Sequence, residues 1–172
     1  MKFSVRKIAY AAVVGAAYAA LTMLMAPISY GPLQIRLSEA LCILPYFFPS
    51  TAWGLFVGCA VANLLSTAGI LDVVFGSLAT LGACLVTAWL GRRNGSKILA
   101  CLPPVVFNGV IIGAVLSWMF ASRDAFWESM LLFGLEVAGG EVIALYAVGL
   151  PLLYLLPRAR FFSIMRAMYN RE

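Results

Sequence analysis

Residues 98–120 read ILACLPPVVFNGVIIGAVLSWMF, which is 23 consecutive positions without an Asp, Glu, Lys or Arg. A helix needs about 20 mainly apolar residues to cross the hydrocarbon core of a bilayer. The rest of the chain has the same character, because 63% of its 172 residues are hydrophobic and 11% are charged. A soluble domain carries roughly a quarter charged residues, since its surface must face water. We therefore expect lipid to be the main solvent of this chain.

Apolar runs on both sides of this segment extend the prediction to the whole chain. They indicate an all-α, polytopic membrane protein: a bundle of six transmembrane helices in a single domain, residues 1–172. A secretory signal peptide is the alternative for the first run, and the continuation of that run to Pro27 favours a span. The predicted helices cover about residues 8–27, 36–48, 51–65, 70–90, 98–120 and 126–156.

Basic residues indicate the orientation of these helices. Ten of the twelve fall before the first helix, between the fourth and fifth, or after the sixth: Lys2, Arg6, Lys7, Arg92, Arg93, Lys97, Arg158, Arg160, Arg166 and Arg171. Loops rich in Lys and Arg stay in the cytoplasm, so we expect cytoplasmic N and C termini. The clusters follow this membrane rule and carry no phosphate-reading motif, which argues against a nucleic-acid partner.

Polar side chains inside the predicted spans are the candidate binding residues. Each ionisable group there costs several kcal/mol to insert, so it indicates function by default. On the predicted topology these residues come from five helices and lie mainly in the outer half of the bundle, as in a pocket open to the outside. They are Gln34, Arg36, Glu39, Asn63, Asp72, Asn108, Glu136 and Glu141. The alternative is structural: Arg36 and Glu39 pair, and the amides bridge helices.

The remaining carboxylates indicate the chemistry of the ligand. Asp72, Glu136 and Glu141 have no further cation at their depth, which suits a ligand that donates hydrogen bonds or carries positive charge. Glu136 and Glu141 are five residues apart, about 140° around a helix, so we expect only one of them to face the pocket. The sequence leaves open which one.

Catalysis is not expected. The chain has no His, its four Cys stand singly in apolar runs, and no nucleophile or metal-ligand constellation is present. We therefore predict no catalytic residue, no metal and no cofactor. No P-loop motif is present either, so the chain cannot bind and hydrolyse ATP through a P-loop itself, and we expect it to be one subunit of a larger assembly. The alternative function is a stand-alone ion- or proton-coupled carrier that uses the same carboxylates.

Helix one carries small residues that predict a docking face. Spacing by four lets another helix approach closely, and the residues concerned are Ala12, Gly15, Ala16, Ala19 and Ala20. The alternative is packing within the bundle, and the choice between the Ala12/Ala16 and Ala11/Gly15 registers stays open.

Four segments resemble the signature of the QueT family. They are QIRLSEAL at 34–41 (after SYG at 29–31), GLFVGC at 54–59 with Asn63, DVVFGSLAT at 72–80, and NGVIIG at 108–113. The first element is fairly specific, whereas the glycine-rich elements indicate little on their own. The resemblance as a whole covers nearly the whole chain, and the four segments stand in the expected order.

The resemblance implies a substrate-binding (S) component of an energy-coupling factor (ECF) importer in a bacterial cell membrane. Such components are six-helix bundles that capture a micronutrient outside the cell. They dock through small residues of helix one onto a membrane coupling subunit driven by two ATPases. The implied cargo is a queuosine precursor, a 7-deazaguanine base such as 7-aminomethyl-7-deazaguanine or queuine. The residue-level prediction agrees, because a guanine-like edge offers adjacent N–H donors to a carboxylate and an aminomethyl arm is cationic.

Overall fold

The computed structural model describes residues 4–29, 35–66 and 69–170. All regular secondary structure within these ranges is helical, which confirms the all-α prediction. After α1 the chain adds one helical turn, Ala26–Ser29. The helices are α1 (Val5–Leu24), α2 (Leu37–Tyr46), α3 (Thr51–Asn63), α4 (Gly69–Arg92), α5 (Lys97–Phe120), α6 (Arg123–Arg158) and α7 (Arg160–Asn170).

Four of these helices, α1, α4, α5 and α6, are long and apolar enough to cross a membrane, with 20, 24, 24 and 36 residues. The helices α2 and α3 are also apolar but have 10 and 13 residues, below the roughly 20 of an unshielded span. Large apolar side chains on the outer surface are exposed, including Trp118 and Trp127. A surface of this kind needs lipid as its solvent, and the chain is a multi-pass membrane protein.

The short helix α2 lies at the centre of the bundle. It packs against α1, α3, α4 and α6, and it buries Ser38, Glu39, Ala40, Cys42, Ile43 and Pro45. The helix is 3₁₀ in type, with a rise of about 2.0 Å per residue instead of 1.5 Å. Ten residues therefore span about 20 Å, so a short segment reaches further into the bundle than an α-helix of that length. This central position brings the polar residues of α2 within reach of its neighbours.

Glycines allow two helix pairs to approach closely. A Cβ atom on Gly54 of α3 would clash with the backbone oxygen of Ala11, and one on Gly58 would clash with the backbone of Gly15. In the other pair, a Cβ on Gly113 of α5 would lie 2.7 Å from the Cα of Gly134 in α6. Because only glycine fits at these contacts, the small-residue motifs of α3 and α5 are used inside the bundle.

The segment after α6 is a helix that the sequence-based prediction treated only as a basic tail. In α7, Phe162 and Tyr169 are buried against Phe48 and Tyr10. The Tyr169 hydroxyl donates to Ser50 Oγ at 3.0 Å, and the Tyr10 hydroxyl donates to the backbone oxygen of Met165 at 3.0 Å. These contacts hold α7 across the end of the bundle where α1 begins.

Most of the basic residues that the structure describes lie at the same end, whereas Arg36 lies inside the bundle and Arg123 at the start of α6. Lys7 Nζ lies 5.7 Å from the centre of the Tyr169 ring, which joins the start of α1 to α7. Tyr46, at the end of α2, donates to the backbone oxygen of Gly95 at 2.7 Å. The loop between α4 and α5 therefore lies at this end as well. Lys2 and Arg171 lie outside the described residues.

Candidate functional site

Buried polar side chains from six helices meet inside the bundle. Tyr18 and Thr22 come from α1, Asn63 ends α3, Asp72 lies near the start of α4, Asn108 lies in α5 and Glu141 lies in α6. Helix α2 adds Ser38, Glu39 and Cys42, and Arg36 lies just before its first residue. Buried polar groups are costly unless they have partners, so the hydrogen bonds of this cluster define what it can bind.

An ion pair forms one side of the cluster. Arg36 Nη2 donates to Asp72 Oδ2 at 2.9 Å, and both side chains are buried. Asn63 Nδ2 donates to the backbone oxygen of Asp72 at 2.9 Å. A Cβ on Gly76 would lie 2.7 Å from both Asn63 Nδ2 and Asp72 Oδ1, so glycine at this position leaves room for the two polar side chains.

Glu39 is held by hydrogen bonds within the protein. The Tyr18 hydroxyl donates to Glu39 Oε1, and Cys42 Sγ donates to Glu39 Oε2 at 3.0 Å. Thr22 donates to Ser38 Oγ at 2.6 Å beside this pair. Both carboxylate oxygens of Glu39 therefore have donors already, and the residue fixes α1 against α2.

Glu141 forms the opposite side of the cluster. Asn108 Nδ2 donates to Glu141 Oε1 at 2.5 Å, and the carboxylate interacts electrostatically with Glu39 and Arg36. Glu136, on the same helix, is exposed and does not join the buried cluster. The 140° separation of the two residues therefore turns Glu141 inward and Glu136 outward.

Three buried acceptor oxygens of the cluster have no donor among the residues that the structure describes. They are Asn63 Oδ1, Asp72 Oδ1 and Glu141 Oε2, and the Ser29 hydroxyl near the end of α1 is unpartnered in the same sense. An unsatisfied buried acceptor costs about 1–3 kcal/mol. The arrangement is therefore suited to a molecule that brings several N–H donors or a positive charge.

Irregular helical segments position the carboxylates. Asp72 is the first residue of a π-helical segment, Asp72–Gly76, inside α4. Glu141 lies just before a second one, Ile143–Gly149, which packs on α2. π-helical turns are rare and occur often at functional sites.

Most of the residues expected to bind substrate lie together. Arg36, Glu39, Asn63, Asp72, Asn108 and Glu141 are all in the cluster, whereas Gln34 lies outside the described residues. Sequence reasoning missed Tyr18, Thr22, Ser38 and Cys42, although a tyrosine hydroxyl inside an apolar helix already requires a partner. Within 4–29, 35–66 and 69–170, no three His, Cys, Asp or Glu side chains gather as ligands for a metal ion.

The residues expected to dock a partner divide between two sides of α1. Gly15 and Ala19 are buried, and the backbone of Gly15 packs against Gly54 and Gly58 of α3. Ala12, Ala16 and Ala20 are exposed. The Ala11/Gly15 register therefore makes the contact within the bundle, and the Ala12/Ala16 register leaves a smooth outer strip.

Comparison with known proteins identifies the family. The sequence model of the QueT transporter family matches residues 8–158. A relative in Lactococcus lactis subsp. cremoris (strain MG1363), the "Queuosine precursor transporter QueT", is 40% identical over 72 residues. That alignment covers 41% of this chain and 42% of the relative's length, and no solved structure matches the chain. Because the family match includes every helix that contributes to the buried cluster, the chain belongs to the QueT transporter family.

Proposed function

We propose that the chain is the high-affinity substrate-binding subunit of an ECF-type importer for a queuosine precursor. The cargo is a 7-deazaguanine base such as 7-aminomethyl-7-deazaguanine or queuine, and the partners are a membrane coupling subunit and two ATPases. Membership of a transporter family and the name of the Lactococcus relative support the transport of a small molecule.

The observation that carries this proposal is the set of unpartnered acceptors in the cluster. Asn63 Oδ1, Asp72 Oδ1 and Glu141 Oε2 are buried and have no donor in the described part of the chain. The edge of a deazaguanine offers adjacent ring and exocyclic N–H groups, which satisfy acceptors on neighbouring side chains. Charge-assisted hydrogen bonds of this kind are about twice as strong as neutral ones.

The proposed topology has six crossings in one transmembrane domain, with both termini in the cytoplasm of a bacterial cell. The basic residues at the starts of α1 and α5, the end of α4 and the α6–α7 segment support this orientation through the positive-inside rule. The short helices α2 and α3 serve as the second and third crossings. Helix α2 is enclosed by its neighbours, and a span shorter than the hydrocarbon thickness, such as α3, is accommodated by local thinning of the bilayer.

The exposed strip of α1 is the proposed docking face for the coupling subunit. Ala12 and Ala16 line an outer groove of about 490 Å³ with Trp53 and Val57. Small side chains let a partner helix approach the backbone closely, which favours packing in a membrane. Since α1 also donates hydrogen bonds to α2 through Tyr18, docking and binding use different sides of one helix.

Calorimetry on the detergent-solubilised protein tests the proposed cargo. We expect 7-aminomethyl-7-deazaguanine to bind tightly, guanine-like bases to compete, and an anionic vitamin not to compete. Equal competition by the anionic vitamin would contradict the proposed substrate class. Uptake in cells with and without the ECF ATPases tests the mechanism. Uptake that persists without the ATPases and follows the proton gradient would favour the stand-alone carrier instead.

Ala16→Trp separates docking from binding. A bulky ring at the exposed strip should abolish ATP-dependent uptake and co-purification with the coupling subunit, with unchanged affinity for the base. Ala17→Trp is the matched control, because Ala17 is exposed but points about 100° away from Ala16. If Ala16→Trp still co-purifies and transports normally, the strip is not the docking face.

A further inference from the structure

The helix α7 carries two apolar stripes that face different directions. Phe162, Met165 and Tyr169 pack against the bundle. The residues before each of them, Phe161, Ile164 and Met168, are 71%, 54% and 47% exposed. A step of one residue is about 100° around a helix, so the exposed stripe lies roughly at a right angle to the packed one.

This right angle fits a helix that lies in the plane of the membrane beside the bundle. Such a helix has one side against protein, a second side toward the acyl chains, and the remainder toward headgroups and water. The remaining positions of α7 match that third side, because Arg160, Ser163, Arg166 and Ala167 are all exposed. The stripe of Phe161, Ile164 and Met168 therefore has the chemistry and direction of a lipid-facing surface.

The location of α7 agrees with this assignment. It follows directly on α6, which is long enough to cross the bilayer and ends at Arg158. Its packed side meets Tyr10, five residues after the start of α1, and the start of a spanning helix lies at the membrane boundary. The helix is thereby held near the level where headgroups meet acyl chains.

The positive charge of this segment indicates that it contacts anionic lipids. Residues 157–170 include three arginines, Arg158, Arg160 and Arg166, and no Asp or Glu, whereas Arg171 and Glu172, which follow, carry opposite charges. Basic residues next to a membrane surface attract anionic headgroups within a Debye length. Lys7, next to Tyr169, adds a further positive charge at the same end.

We propose that α7 is an interfacial anchor that inserts Phe161, Ile164 and Met168 among the acyl chains and binds anionic lipid headgroups through its arginines. The anchor ties the ends of α1, α2 and α6 to one leaflet through the aromatic contacts of Phe48 and Tyr10. This lipid contact is independent of the cargo and of the docking face on α1.

Spin labels on the full-length protein in nanodiscs test the inserted stripe. Ile164→Cys places a nitroxide on the exposed stripe, and Ser163→Cys places one on the polar side, about 100° away, as the matched control. The native Cys42, Cys59, Cys84 and Cys101 are buried, and wild type treated with the same spin label gives the background. In bilayers of phosphatidylcholine and phosphatidylglycerol, we expect position 164 to collide several-fold more with oxygen than with an aqueous nickel chelate, and position 163 to show the reverse.

Two results would overturn the insertion. Equal nickel accessibility at 164 and 163 would mean that the stripe faces water. Shielding of 164 from both reagents would mean that a protein segment, such as a second copy of the chain, covers it.

A comparison of lipids tests the charge. We expect the label at 164 to lie deeper when phosphatidylglycerol is present than in phosphatidylcholine alone. Adding Arg160→Gln and Arg166→Gln should remove that difference while the label stays in contact with lipid. Equal depth in the two bilayers for the protein with native arginines would overturn the assignment to anionic lipid.

Discussion

Replacing Glu141 with Gln changes one buried atom of the site and leaves the shape of the side chain intact. Glu141 Oε1 accepts from Asn108, and Oε2 has no donor among the described residues. In Glu141→Gln, the amide oxygen keeps the bond to Asn108 and an –NH₂ group takes the position of Oε2. A donor then stands where an N–H of the bound base is expected to donate.

The expected loss of affinity follows from the hydrogen bond between the base and Glu141 Oε2 that the substitution removes. A hydrogen bond to a charged group contributes about 1.5–3 kcal/mol. Since 1.4 kcal/mol is about tenfold in affinity, we expect the Kd to rise about 12- to 150-fold. The ligand-free protein should respond in the opposite direction, because a neutral amide is less costly to bury than a carboxylate with one unpartnered oxygen. Its Tm should be unchanged or higher.

Calorimetry and thermal unfolding in the same detergent measure both quantities. Glu136→Gln is the matched control, because it makes the same chemical change on the same helix at an exposed position. We expect it to bind like wild type. Wild-type affinity for Glu141→Gln as well would refute the reasoning that Oε2 meets the ligand. A large fall in the Tm of Glu141→Gln would instead assign the carboxylate a structural role.

Three further substitutions test the packing around the site. Gly54→Ala should destabilise the protein by about 1–3 kcal/mol in detergent unfolding, because the new methyl group meets the backbone of α1; Gly139→Ala, with open space around it, should be neutral. Tyr18→Phe should cost about 1–3 kcal/mol of unfolding free energy, since it removes the donor to buried Glu39, and an unchanged midpoint would contradict that role. Gly76→Ala should weaken binding about tenfold by displacing the neighbouring amide and carboxylate, and unchanged calorimetric affinity would count against their contact with the ligand.

The sequence identified the polar residues that are costly to bury in a membrane, but it did not give the direction in which each of them faces. The cost of burying charge in lipid identified both Glu136 and Glu141 as candidates, and a separation of five residues showed that they face different ways. Choosing between them required the position of Asn108 and the packing of α6 against α5 and α2, which local sequence does not encode.

The role of Glu39 shows a second kind of limit. The sequence placed this carboxylate near Arg36 and suggested a local pair, since residues three apart in a helix are neighbours. In the folded protein Arg36 pairs with Asp72 of α4, and Glu39 accepts from Tyr18 of α1. Asp72 and Tyr18 are both distant from α2 along the chain. These pairings therefore depend on how the helices are arranged in space.

The amino-acid sequence alone indicated that lipid surrounds this protein and that its fold is all-α. It also identified the polar residues that are costly to bury inside a membrane. Those properties follow from composition and local periodicity, because each residue contributes its own transfer free energy. The tertiary structure decided which polar atoms stay unpartnered, which side of α1 is used within the bundle, and that residues 160–170 form a helix with two apolar stripes. These properties depend on contacts between segments far apart in the chain, and each buried polar group is satisfied or left open only when all its neighbours are in place.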